Sequence, residues 1–178
     1  SMPAVRELAQ LTVVRGARWK GIDFSKGQLK SLRFHDCEID DCRFDRADCA
    51  DWRVWGTSVA NSSFEAANLR GAVLGGVENG KRNRWRSVDF SRADLRQTVY
   101  VSAEMVRCTF SRTKLRKVDF QGTVFKDCVF EGELEEVQFH QRAFRGDAFP
   151  PNEMSGVDMR RARFRYVEFR GLELGDVC

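Results

Sequence analysis

The sequence contains no apolar run of the roughly 18 or more residues that a membrane helix needs, so no spanning segment is expected. Its N-terminus lacks the charged, apolar and small-residue zones of a secretion signal, which points to the cytoplasm. Histidine is scarce: His35 and His140 stand far apart, and neither has a cysteine or serine placed to make a nucleophilic pair. No CxxC spacing suggests a zinc site, and no Walker or dinucleotide fingerprint occurs, since Gly75-Gly76 stands without the rest of either motif. A formal net charge of +4 falls short of the bias expected of a dedicated nucleic-acid binder. The residues thus provide no catalytic group, no metal site and no cofactor site.

What the sequence does have is a period of five. Calling the central residue of each pentapeptide i, one register runs from Phe24 through Leu29, Phe34, Ile39 and Phe44 to Leu74, with an earlier start at Val14 and Trp19. A second runs from Trp85 through Phe90 and Leu95 to Phe130, and a third from Leu134 through Phe139, Phe144, Phe149 and Met154 to Leu174. All 14 phenylalanines fall at i. Two positions earlier stand small or β-branched residues such as Ala67, Ala72, Val88, Ala93 and Thr98. The period fits neither a helix nor a simple strand. It fits a chain that turns a right angle every five residues and buries one large and one small side chain per side. Four sides make a square coil of about 20 residues, and coils stacked at about 4.8 Å give a rod about 38 Å long with about eight coils.

Segments such as Val88-Asp89-Phe90-Ser91-Arg92 and Ala93-Asp94-Leu95-Arg96-Gln97 resemble the pentapeptide-repeat family, whose consensus is close to A(D/N)LXX. The resemblance implies an all-β fold, a right-handed quadrilateral parallel β-helix. It spans residues 12–178, preceded by a short cap over residues 1–11 whose apolar positions are Val5, Leu8 and Leu11. Between Leu74 and Trp85 the spacing is eleven, so the Gly-rich stretch 75–84 is read as a loop leaving the wall of the rod. The slip near Glu131-Gly132-Glu133-Leu134 is read as a tightened corner, and Pro150-Pro151 as a stiff one. Val177 opens a pentapeptide without a central residue, which leaves that end to be covered by further chain or another molecule.

Cys37, Cys42, Cys49, Cys108 and Cys128 occupy inward positions and read as core thiols. Both histidines directly follow a central residue and are expected to face solvent. Candidate partner-binding residues come from charge clusters: Lys81, Arg82, Arg84 and Arg86 in and after the loop, and Asp36, Asp40, Asp41 and Asp45 in an acidic belt. A filled coil has no cleft in which to tune a catalytic group. The expected function is therefore a non-enzymatic scaffold for a protein partner, with nucleic acid disfavoured. The alternative implied by the resemblance is a DNA-mimicking modulator of gyrase that protects against quinolones or toxins. A full mimic of this length would need on the order of 20 negative charges.

Overall fold

A computed structural model of the chain describes residue 5, residues 12–146 and residues 148–178. The expected cap over residues 1–11 lies outside the described residues, apart from Val5, whose N–H donates to the Asp23 carbonyl at 2.8 Å. Among the described residues there is no helix, and so none long and apolar enough to cross a membrane.

Strands about 20 residues apart pair in parallel, Val13 with Arg33 and Arg18 with Glu38, and this repeats up the rod. The pairing defines four faces. The first stacks Val14, Phe34, Val54, Leu74, Tyr100, Phe120, Phe139 and Phe169, eight rungs that bear out the expected coil number. The second carries Trp19, Ile39, Val59, Trp85, Met105 and Phe125. The third holds Phe24, Phe44, Phe64, Phe90, Phe110 and Phe130, and the fourth Leu29, Cys49, Leu69, Leu95, Leu115 and Leu134. The result is the quadrilateral parallel β-helix expected from the period.

Two features turn five-residue segments into square sides. The residue two past most central ones takes a left-handed conformation, as at Lys26 (φ 59°), Asp36 (φ 52°) and Arg92 (φ 59°). Each such non-glycine corner costs about 1–2 kcal/mol, and the hydrogen bonds of the stacked coils offset it. Inside, the third-face phenylalanines stack with centroids 4.6–5.5 Å apart and rings within 19° of parallel. The small inward residues also serve as donors. Thr113 Oγ1 donates to the Phe90 carbonyl at 2.8 Å, and Cys108 and Cys128 Sγ donate to Trp85 and Met105 carbonyls at 3.3 Å. Threonine and cysteine at these positions thus give central-residue carbonyls a side-chain donor from the next coil.

The structure corrects the third register. Phe139 is followed on the next face by Met154 and not by Phe144, since Lys126 pairs with Ser155. Residues 141–146 and 148–153 leave the wall as a second insertion; Phe144 is 65% exposed, and Pro150-Pro151 lies inside this loop. The excess is ten residues, two whole periods, so the phase of the repeat passes through it unchanged. His140 is corrected with it. Phe144 sets its ring edge-on over His140 at 4.8 Å, leaving that histidine 3% exposed rather than facing solvent. His35 is half-buried as well, stacked on Trp55 at 4.6 Å.

Candidate interaction surface

Both insertions emerge at the corner between the first and second faces, and they meet. The first is an antiparallel hairpin, Val77–Glu78 against Lys81–Arg82, which folds back along the wall instead of standing away from it. Two glycines allow the approach. A Cβ on Gly75 would lie 2.3 Å from the Val101 nitrogen, and one on Gly76 would lie 2.7 Å from the Trp55 ring. Glu78 then reaches His35 Nδ1 at 3.0 Å, and Lys81 Nζ donates to Asp36 Oδ1 at 2.7 Å, which raises the lysine pKa. The Arg82 guanidinium donates to the Ser102 and Ala103 carbonyls at 2.8 and 3.0 Å and lies 4.5 Å from the Phe149 ring of the second insertion.

Each insertion re-enters the wall through a fully buried asparagine placed two residues before the next central one. Asn83 Oδ1 accepts the Thr57 N–H at 2.9 Å, and its Nδ2 donates to the Val54 and Leu74 carbonyls at 2.8 and 2.9 Å. Asn152 Oδ1 accepts the Phe125 and Met154 N–H groups at 3.1 and 3.0 Å. The amide supplies hydrogen bonds that the chain forfeits by leaving the coil. This role was missed from sequence, although an asparagine where Ala, Val, Thr or Cys is the rule was there to be seen.

The predicted site residues distribute unevenly. Asp36, Lys81, Arg82 and Arg84 line one shallow cleft of about 300 Å³, shared with Glu38 and Phe149. Arg82 is buried and turned inward, so it holds the two insertions together and presents no charge to a partner. Arg84 and Arg86 lie on the second face over Glu104, at 4.0 and 3.0 Å. Asp40 accepts from Asn61 at 2.9 Å and faces Lys20 at 3.7 Å. Asp41 is exposed at the next corner, and Asp45 sits on the third face with Arg43 and Ser63. The acidic belt is therefore a girdle around one coil, with acids on all four sides.

Among the described residues no three His, Cys, Asp or Glu side chains gather as metal ligands. Burial pushes the Cys37, Cys42 and Cys108 thiols up, away from the nucleophilic thiolate. Burial holds His140 below the usual histidine range although Asp119 Oδ1 lies 3.2 Å from its Nε2.

Residues 101–132 match the family model for pentapeptide repeats (8 copies). No curated protein matches the chain. Full-length QnrB1, a plasmid-mediated fluoroquinolone resistance protein, is 15% identical and aligns over 94% of this chain and 92% of its own with a TM-score of 0.50. HetL, a pentapeptide repeat protein involved in heterocyst differentiation regulation in the cyanobacterium Nostoc, is 14% identical over 98% of this chain and 87% of its own, with a TM-score of 0.38. At these identities QnrB1 speaks to the fold alone. Residues 101–132 thus carry pentapeptide repeats, and the five-residue period and parallel square coil in which they sit extend far beyond them.

Proposed function

We propose that the chain is a non-enzymatic scaffold of the cytoplasm that binds a protein partner on its rigid outer surface. One observation carries this reading: the central side chains from Phe24 to Phe139 are almost wholly buried against one another, so chemical variety is confined to flat, laddered faces. Such faces are pre-organised, which lowers the ordering cost of association. The test is affinity capture from the source cell followed by titration of the purified candidate. A saturable complex supports the scaffold; turnover of a small molecule abolished by changing an exposed carboxylate or histidine would sink it.

The likeness to QnrB1 keeps a second reading, modulation of a type II topoisomerase such as gyrase. Mimicry of DNA calls for acids in lines along the rod, whereas Asp36, Asp41, Asp45, Asp48 and Asp51 encircle it. Gyrase supercoiling with and without a quinolone separates the two. Inhibition or drug protection at micromolar protein would promote the topoisomerase reading over the generic scaffold.

A further inference from the structure

Opposite charges alternate from coil to coil on the second face, where Arg18 meets Glu38, Lys20 meets Asp40 and Arg86 meets Glu104. The corner between the third and fourth faces breaks this rule. Its column reads Lys26, Arg46, Ala66, Arg92, Arg112 and Gly132, with no acid. The stacking is direct, because each of the first five N–H groups donates to a carbonyl of the next coil at 2.8–2.9 Å. Beside it on the fourth face runs Lys30, Ala50, Arg70, Arg96, Arg116 and Glu135, so three arginines fall on consecutive rungs. Arg92 reaches Glu65, Arg96 grips Asp94 with two bonds and Arg116 reaches Glu135 and Glu136, whereas Lys26, Arg46 and Arg112 make no ion pair among the described residues, and like charges stacked at about 4.8 Å repel one another.

A notch sits in this basic surface. The chain runs one residue short between Phe130 and Leu134, and Gly132, at φ 104°, carries no side chain to fill the tightened corner. The resulting groove of about 350 Å³ is lined by Arg96, Arg112, Lys114, Arg116 and Arg163 together with Glu133 and Glu135, five cations against two acids.

We propose that this edge and the adjoining fourth face are the docking surface for the protein partner, and that the partner contributes an extended acidic segment whose carboxylates lie along the arginine columns. The proposal rests on the protein-binding reading above and deepens it. Arginine dominates the columns, and its planar fork binds carboxylates two bonds at a time. A flat ladder face suits an extended chain. Among the described residues no aromatic ring stands between the central arginines to stack a base, which disfavours a single-stranded nucleic acid.

The experiment titrates a fluorescein-labelled peptide of alternating Glu and Ser against the full chain. One variant carries R92S, R96S, R112S and R116S; a control with the same loss of charge carries R15S, R18S, K20S and R33S. Circular dichroism establishes that each folds, and the pair R112S and R116S replaces the quadruple variant if it does not. The edge variant is expected to lose affinity by about tenfold or more while the control loses less than about twofold. Equal losses would overturn the proposal, as would a DNA duplex or phosphatidylserine vesicles binding the same arginines more tightly than the peptide. A captured partner that crosslinks at Lys81 or Lys126, and not at Lys114 or Lys117, would overturn the docking surface and leave the scaffold standing. Failure to capture any protein would count against the scaffold, with the peptide titration still deciding the edge.

Discussion

Replacing Asn83 by alanine removes three hydrogen bonds from a fully buried position without disturbing any surface contact. The Leu74 carbonyl keeps the Trp85 indole N–H at 3.0 Å, but the Thr57 N–H and the Val54 carbonyl lose their partners. Two stranded buried groups at about 1–3 kcal/mol each imply a loss of about 2–6 kcal/mol. At a urea slope of about 2 kcal/mol/M the midpoint falls by about 1–3 M. Trp85 packs between Phe64 and Phe90 and bonds the Leu74 carbonyl just before the hairpin, so tryptophan emission is followed alongside circular dichroism. The variant Asn83→Asp keeps an acceptor for Thr57 but loses both donors and places a charge in the core, and should be no more stable than the alanine. A parent-like midpoint for Asn83→Ala, within about 0.5 kcal/mol, would refute the idea that this amide closes the gap left by the insertion.

Gly75→Ala should cost more than Gly21→Ala in urea melts, because the new methyl meets the Val101 backbone at Gly75 but open space at Gly21, where only the left-handed φ of 64° opposes it at about 1 kcal/mol. Phe110→Ala should destabilise by about 3–5 kcal/mol, whereas Phe144→Ala, in the same sequence phase but exposed, should cost about 1 kcal/mol or less. Arg82→Ala, by freeing Phe149 and two carbonyls, should speed tryptic cleavage at Arg142 and Arg145 relative to the rest of the chain, as read by mass spectrometry. His140 is buried neutral, with Arg170 reinforcing and Asp119 opposing the depression of its pKa. Below about pH 6.5 the unfolded chain takes up a proton that the folded chain resists, so stability falls as pH drops from about 7.5 to about 5.5. That fall should shrink in His140→Gln. Asp23, Asp94 and Asp158, held below the ordinary carboxylate range, lose their contribution only below about pH 4 and do not interfere.

The fold was legible because burial repeats with the chain. Each side of the coil must hide one large and one small residue, and Phe24, Phe44 and Phe64 announce this without reference to any neighbour. The hairpin was legible in outline because its excess of six residues shifts the phase. Its direction was not, since nothing local says that Gly75 and Gly76 lie against Val101 and Trp55. His140 was misjudged for a related reason: the position after a central residue faces solvent unless something covers it, and Phe144 does.

The sequence by itself determined the square coil and its inward residues. Only the tertiary structure decided where the two insertions meet and which charges share a face. An insertion of ten residues leaves a period of five intact, so residues 141–153 read as wall until Ser155 is seen pairing with Lys126. Columns on the outside depend on the length of every coil beneath them. Arg70 and Arg96 are neighbours across 26 residues, Arg96 and Arg116 across 20, and only stacked backbone hydrogen bonds reveal that they form one row.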